Sequence, residues 1–210
     1  MTIDEQDQDT LFDRNLFISN EIQSALPPSY LIRPLKRDDD ERGFIELLSQ
    51  LSIVGRITRE SFKSKYSLWI CCILKFIYYS TEIDRFDLLK QKGSTFIIVI
   101  EEDDKIVACA TLMVEYKFLR ECGIIGHIED VVVHDSQRGK RLGIRFEESN
   151  LFVLVNFDIT NYLIRLIEQL HYIAQTAKCY KTILNCNEKN ISFYEKCQLK
   201  KTDVQMTRYF

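Results

Sequence analysis

The sequence predicts an α/β protein with a central mixed, mostly antiparallel twisted sheet flanked by helices. Two observations carry this prediction. Short β-branched or alternating runs, bounded by turn residues, recur along the chain at residues 30–35, 95–101, 106–116, 124–133 and 181–186. Between the last two runs, apolar residues repeat at helical spacing over residues 162–173. At 210 residues, the chain is long enough for one domain with a full core.

Charge and hydropathy exclude two classes of partner. The net charge is −3 and the sequence pI is about 5.7, whereas proteins that bind nucleic acid or a membrane surface need a basic face. The apolar runs at residues 68–79 and 151–159 are shorter than the roughly 20 residues that span a bilayer. We therefore expect no nucleic-acid partner and no membrane association.

The first 29 residues differ in composition from the rest. Residues 1–29 place a few apolar side chains in a polar background before Pro27 and Pro28, which predicts an arm that packs only partly. The start lacks a secretory leader, and the seven cysteines contain no C-x-x-C pair. We expect reduced, buried thiols and a cytoplasmic protein, with residues 30–210 as the main domain.

Two helices are predicted after the first strand. Asp38 stands as an N-cap with Glu41 at capping-box spacing, and a second helix is expected after Thr58. The apolar pattern then continues through residues 70–86 until Gly93 breaks it. Either the helix pair is simply longer, or this stretch is a partner surface.

The next strands predict an antiparallel meander. Residues 95–101 and 106–116 form a hairpin around the turn at 102–105, and the strand at 124–133 follows. Later, a strand at 181–186 and a short helix at 188–197 lead to a last strand at 199–209.

A basic, glycine-containing turn follows the strand at residues 124–133. Arg138, Gly139, Lys140 and Gly143 combine backbone N–H groups with cationic side chains, an arrangement that suits a pyrophosphate at a helix start. Neither the P-loop spacing nor the dinucleotide fingerprint is present. Taken alone, the turn could equally be a solvated basic loop.

Residues 144–160 intervene between this turn and the clean helical face that starts at Tyr162. Either the helix is longer or a loop is extruded, and Asp158 as an N-cap favours a broken helix. Because the first helical N–H groups should meet the pyrophosphate, we expect about one helical turn after Gly143 before the inserted residues leave.

The turn resembles the Arg/Gln-x-x-Gly/Ala-x-Gly/Ala motif of the GNAT acyltransferase superfamily, with Arg141 as a departure. Together with residues 129–133, 179–181 and 190–197, it makes residues 30–210 resemble the glucosamine-6-phosphate N-acetyltransferase family. Two stretches, about 70–92 and 144–160, are extra.

This resemblance implies a GNAT-like fold and a homodimer that shares its active sites. It also implies direct transfer of acetyl from acetyl-CoA to the amine of D-glucosamine 6-phosphate in a ternary complex, in UDP-N-acetylglucosamine biosynthesis. The alternatives are a GNAT enzyme for another amine and a non-catalytic acyl-CoA-binding protein.

The resemblance also assigns residues to acetyl-CoA. Tyr194 would act as acid toward the leaving thiolate, and the Val131 backbone would donate toward acetyl-CoA. The full set is Val131, Val132, Val133, Arg138, Gly139, Lys140, Arg141, Leu142, Gly143, Asn190, Phe193 and Tyr194. Gln198 stands where the family usually has Gly, which affects the local turn.

For the acceptor, the resemblance places Glu129 and Asp130 near the reacting amine. As neighbours on a strand, they should face opposite sides, so that only one reaches the amine. The remaining substrate residues would be Ser52, Lys117, Arg120, Lys181, Asn185 and Arg208, the last donated across the dimer interface. Asn185 replaces the more usual acidic residue.

The sequence indicates neither a metal site nor a cysteine nucleophile. The three histidines have no Cys or carboxylate partner at ligand spacing. No cysteine has a clear base partner.

Overall fold

A computed structural model of the protein describes residues 9–54, 85–137, 142–144, 155–157 and 159–208, with side chains left out at 142–144, 155–157 and 159–160. The strands are β1 Tyr30–Pro34, β2 Thr95–Glu102, β3 Lys105–Tyr116, β4 Ile124–Val133, β5 Leu142–Ile144, β6 Val155–Phe157 and β7 Cys179–Leu184. The right-handed helices are α1 Arg14–Phe17, α2 Asn20–Ser24, α3 Phe44–Ser49, α4 Arg85–Lys92, α5 Ile159–Thr176 and α6 Ile191–Lys196, and a single turn at Leu119–Cys122 has left-handed φ/ψ at Arg120 and Glu121. Short 3₁₀ turns cover Asp135–Gln137 and Glu188–Asn190.

The main sheet has five strands in the order β1-β2-β3-β4-β7. The first four pair antiparallel with their neighbours, and β7 pairs parallel with β4. The predicted meander and the mixed, mostly antiparallel sheet are therefore confirmed. The bounds of β4 are those expected from its β-branched run.

Helix α5 covers one face of this sheet. Its buried residues Leu166, Ile167 and Leu170 join the core cluster that includes Ile98 and Leu112. Each such side chain contributes roughly 1.5–3 kcal/mol by leaving water. The opposite face carries a smaller cluster around α3, so the sheet has apolar layers on both sides.

The described part of the N-terminal segment packs against the main core through a few buried residues. Leu11 and Ile18 are buried. The buried amide of Gln169 on α5 accepts a hydrogen bond from the Ser19 N–H at 3.1 Å and donates to the Phe17 carbonyl at 2.8 Å. These bonds attach α1 and α2 to the main core.

The predicted helix start at Asp38 is wrong. The helix begins at Phe44, after Gly43 in a left-handed conformation. Residues 38–43 instead form turns, because Asp39 is fully buried in a bidentate ion pair with Arg33 at 2.8 Å. Leaving the buried Arg33 guanidinium without its carboxylate partner would cost more free energy than a helix cap at Asp38 contributes.

The helix predicted after Thr58 and most of the 70–86 stretch lie outside the described residues. Of that region, α4 ends at Lys92, where Gly93 adopts φ 60° and its N–H donates to the Leu89 carbonyl. The prediction that Gly93 ends the helix is confirmed, since a left-handed C-terminal residue favours glycine.

Two predictions near the C-terminus need correction. β7 ends at Leu184, two residues before the predicted end at Cys186, because the chain leaves β4 there. The predicted last strand is wrong within the described chain, since residues 199–208 form no strand and are mostly exposed. A strand requires a neighbour, and the described residues offer none to this segment.

The last residues of the basic turn and the first residue of the insertion pair with residues 155–157 in a separate two-stranded sheet. Leu142 pairs with Phe157, Gly143 with Asn156 and Ile144 with Val155, all antiparallel. The expected helical turn after Gly143 is therefore wrong, because Gly143 and Ile144 are extended. The start of α5 at Ile159 agrees with a broken helix.

The described cysteines are all free thiols, but they are not uniformly buried. Cys109 and Cys197 are buried, as predicted, whereas Cys122 and Cys186 are exposed. Among the described residues, no helix has both the length and the apolar character needed to cross a membrane.

Candidate active site

A cleft opens where β4 and β7 separate. The last residues paired between them are Ile128 and Leu184. Beyond this pair the strands diverge and leave a cavity of about 280 Å³. Its walls are formed by Leu51, Ile128, Glu129, Asp130, Val131, Leu184, Asn185, Cys186, Asn187, Asn190 and Tyr194.

A β-bulge shapes the β4 wall of the cleft. Thr111 pairs with Glu129 and Cys109 pairs with Val132, so Asp130 and Val131 together oppose a single residue of β3. Asp130 has φ 52°, and its carbonyl accepts a hydrogen bond from the buried Cys109 thiol at 3.7 Å. Glu129 and Asp130 both belong to the residues that line the cleft, at the point where the bulge interrupts the regular alternation of β4.

The two carboxyl groups have altered acidity. Desolvation raises the pKa of Glu129, and the charge of Asp130 raises it further. Desolvation alone raises the pKa of Asp130. Both groups therefore hold a proton more readily than a free carboxyl, which moves them toward the range of a useful proton acceptor.

Tyr194 contributes a hydroxyl group to the cleft, from an element other than β4. It lies on α6, whose N-cap residue is Asn190, so that both side chains line the cleft. Desolvation raises the pKa of Tyr194, with smaller contributions from Cys186 and Cys197. The phenol is therefore neutral near pH 7 and is a hydrogen-bond donor.

Three residues assigned to acetyl-CoA support the cleft from behind. The side chains of Val132 and Val133 are buried in the two core clusters, on opposite faces of the sheet. Phe193 packs at the edge of the main core, and its ring meets that of Tyr194 edge-on at 5.0 Å. These side chains hold the walls rather than line them.

Most of the residues expected to contact the sugar phosphate lie outside the cavity. Ser52 is exposed, beside the lining residue Leu51. Lys117 forms an ion pair with Glu115, and Arg120 is exposed in a left-handed turn with φ 56°. Lys181 and Arg208 are exposed as well, whereas Asn185 lines the cavity.

The basic turn connects Gln137, at the end of the 3₁₀ turn after β4, to Leu142 at the start of β5. Arg138, Gly139, Lys140 and Arg141 lie outside the described residues. Leu142 and Gly143 belong to β5, and Leu142 pairs with Phe157, two residues before α5 begins. The pairing within the insertion thus brings the end of the turn close to the start of α5.

Five lining residues were not identified from the sequence: Leu51, Ile128, Leu184, Cys186 and Asn187. Cys186 and Asn187 continue from Asn185 beyond the carboxyl end of β7, where ligands commonly bind, so a correct strand end would have indicated them. Leu51 follows α3 and carries no sequence signal for the site. Among the residues that the structure describes, no group of three His, Cys, Asp or Glu side chains could hold a metal ion.

Comparison with known proteins gives a consistent result. The Acetyltransferase (GNAT) family matches residues 62–145. The chain is 37% identical over 191 residues to glucosamine 6-phosphate N-acetyltransferase 1 of Dictyostelium discoideum, covering 90% of this chain and 96% of that protein. It is 36% identical over 185 residues to the glucosamine 6-phosphate N-acetyltransferase of Arabidopsis thaliana, covering 87% and 97%.

Solved structures show the same similarity. The crystal structure of glucosamine-6-phosphate N-acetyltransferase from Arabidopsis thaliana matches with a TM-score of 0.61 and 34% identity, covering 86% of this chain and 98% of that chain. A Trypanosoma brucei acetyltransferase matches with a TM-score of 0.60 and 25% identity, covering 86% and 99%.

Proposed function

This chain belongs to the glucosamine 6-phosphate N-acetyltransferase family of the GNAT acetyltransferases, and we propose that it acetylates the amine of D-glucosamine 6-phosphate with acetyl-CoA. The observation that carries this proposal is the cleft between β4 and β7, which is lined by two carboxyl groups and a phenol. A thioester can bind where β4 and β7 separate. Backbone groups of β4 have no β7 partner there, so they are available to the thioester.

Glu129 accepts the proton of the reacting amine in this proposal. Its pKa is raised by desolvation and by Asp130, which makes it a better base than an ordinary carboxylate. As the nitrogen–carbon bond forms and the carbon–sulfur bond breaks, the proton passes from nitrogen to the Glu129 carboxylate. We assign the N–H of Val131, which lies in the bulge, as a donor toward acetyl-CoA.

Tyr194 stabilises the departing thiolate. Because burial raises the pKa of its phenol, complete proton transfer to a thiolate of pKa about 8.5 is unfavourable. A hydrogen bond from the neutral phenol is favourable and strengthens as charge develops on sulfur. The thiol takes its final proton from solvent or from the acidic pair.

The phosphate of the acceptor needs cations at the cleft mouth. Lys181 pairs with Ile125, and Ile183 pairs with His127. Ile125 and His127 lie on the same face of β4 as Glu129, because side chains alternate along a strand. This placement supports Lys181 as a phosphate contact, and we propose Lys117, Arg120 and Ser52 for the same end of the sugar. Asn185 would bind a sugar hydroxyl.

We also propose that the enzyme is a homodimer in which Arg208 reaches the partner's site. Val204 and Met206 are 86% and 94% exposed, and they alternate as in a strand. Among the described residues, β7 pairs only with β4, so its other edge can accept a strand from a second copy. We further propose that the reaction takes place in the cytoplasm, in UDP-N-acetylglucosamine biosynthesis.

A thiol-release assay tests this function. Purified protein is supplied with acetyl-CoA and a panel of amines that includes glucosamine 6-phosphate, glucosamine, a polyamine and a peptide. We expect release of CoA thiol, and N-acetyl product by mass spectrometry, with the phosphorylated sugar above all others. Preference for another amine would redirect the substrate assignment, and CoA binding without turnover would favour the non-catalytic alternative.

A further inference from the structure

A buried polar cluster lies directly before the basic turn. The side chain of Gln137 is 1% exposed, and its Nε2 donates to Glu102 Oε2 at 2.7 Å. The Tyr30 hydroxyl donates to Glu102 Oε1 at 2.5 Å. The side-chain amide oxygen of Gln137, Oε1, lies 3.3 Å from the oxygen of the same hydroxyl. Both oxygens of one carboxylate are thus used to hold Gln137 and Tyr30.

The cluster joins three rigid parts of the fold. Tyr30 and Glu102 face each other across the β1–β2 pair. The Tyr30 ring packs on that of Tyr162, in the first part of α5, with centroids 5.0 Å apart. Gln137 ends the 3₁₀ turn after β4, and its N–H donates to the His134 carbonyl. The residue preceding Arg138 is therefore fixed relative to both the sheet and α5.

Gln137 does not line the cleft, so direct contact with the acetyl group or the amine is not its role. A buried amide is costly unless it is hydrogen-bonded, and an apolar side chain would fill the same space without that cost. The specific gain from the amide is a fixed position for the chain where it enters residues 138–141.

We propose that Gln137, through Glu102 and Tyr30, is a positioning residue for the turn that binds the pyrophosphate of CoA. This inference rests on the proposed function, since it requires that the protein bind CoA. If Gln137 positions this turn, its loss should affect binding of one part of CoA, the pyrophosphate. Loss of Gln137 should weaken binding of donors that carry the pyrophosphate and spare donors that lack it.

The test compares two donors in the near-isosteric variant Gln137→Met. We expect the Kd for CoA, measured by calorimetry, and the KM for acetyl-CoA to rise about tenfold. The kcat/KM for S-acetylpantetheine, which lacks the pyrophosphate and nucleotide, should not change. The double variant Glu102→Gln/Gln137→Glu, the exchanged pair, again places one amide beside one carboxylate. Its Kd for CoA should return to that of the wild type.

Gln169→Met is the matched control. It also removes a fully buried amide with two hydrogen bonds, but those bonds hold the N-terminal segment. It should lower the melting temperature without altering CoA affinity. Equal losses with both donors in Gln137→Met, unchanged CoA affinity, or no recovery in a folded exchanged pair would overturn the inference alone. A wild-type protein that bound no CoA would overturn the proposed function as well.

Discussion

Asp130 combines a strained backbone with a perturbed carboxyl group in the wall of the cleft. A left-handed conformation costs a non-glycine residue about 1–2 kcal/mol, although Asp tolerates it better than most. The surrounding strands maintain it, because the pairs formed by Thr111 and by Cys109 enclose the bulge on both sides. The strained backbone has a structural result, since at the bulge two adjacent acidic residues line one cavity.

Tyr194→Phe should reduce turnover much more than it reduces binding. The hydroxyl interacts with charge that develops on sulfur only as the thioester breaks, so its loss leaves the ground state nearly unchanged. We expect kcat to fall on the order of a hundredfold, with little change in the Kd for acetyl-CoA. Steady-state kinetics and calorimetry measure the two quantities.

Phe193→Leu serves as a control for packing, since the two rings are in contact. It should change stability more than kcat. If Tyr194→Phe weakened binding and left kcat unchanged, Tyr194 would be a binding residue only.

The acidic limb of the rate profile should depend on Glu129. A base must be deprotonated, so kcat falls as pH is lowered through its pKa. Because the pKa of Glu129 is raised above its ordinary value of 4.5, this fall should occur at higher pH than for a free carboxyl. Glu129→Gln should remove that limb and lower kcat about a hundredfold at neutral pH.

Asp130→Asn is the informative comparison for Glu129→Gln. It removes the neighbouring charge that raises the pKa of Glu129, so the limb should move to lower pH but persist. An unchanged pH profile in Glu129→Gln would show that solvent, rather than this carboxyl, accepts the amine proton.

At the level of elements, predictions succeeded where the signal was local. The hairpin of β2 and β3 follows from alternating apolar runs on either side of Asp103 and Asp104, both of which adopt positive φ as tight turns require. The start of α5 at Ile159 is the one expected with Asp158 as N-cap. Local patterns therefore located most of the main sheet.

Features that depend on distant partners could not be predicted in this way. Asp39 leaves the predicted helix because Arg33, on β1, requires a buried partner. The pairing of β5 with β6 likewise joins residues on either side of an insertion. At the site, the motif residues identified Glu129 and Tyr194, but the bulge at Asp130 depends on the pairing between β3 and β4.

Shortening the insertion tests whether it is an excursion from the fold. Ile144 and Val155 pair antiparallel, so their ends suit a two-residue type I′ turn. Replacing residues 145–154 by Asn-Gly should leave the protein folded, with a Kd for acetyl-CoA within about twofold of the original. Circular dichroism and calorimetry measure these outcomes.

The same variant distinguishes the other roles. Should residues 145–154 pack at a dimer interface, the shortened protein would be a soluble monomer in sedimentation. Should they form part of the acceptor site, it would remain dimeric but lose turnover of the sugar.

On the scale of the whole molecule, the cleft supplies chemistry at one end of the acceptor and leaves the phosphate end to surface cations. Among the residues that the structure describes, those lining the cleft include two carboxyl groups and no cation, whereas the proposed substrate carries a phosphate dianion. The rim or a second copy can supply positive charge. Residues 200–208 follow α6 and are exposed, so they are suited to such a contribution.

Mixing two impaired variants, at a sugar concentration well below the KM of Arg208→Ala, tests whether Arg208 acts across a dimer. Arg208→Ala should raise the KM for the sugar phosphate and leave that for acetyl-CoA nearly unchanged, while Tyr194→Phe lowers kcat. If Arg208 completes the partner's site, a mixed dimer contains one site with both residues intact. Random exchange makes about half of the dimers mixed, so about a quarter of wild-type activity should return on mixing. Activity that stays at the mean of the two variants, although sedimentation shows exchanged dimers, would place Arg208 in its own subunit's site or outside both.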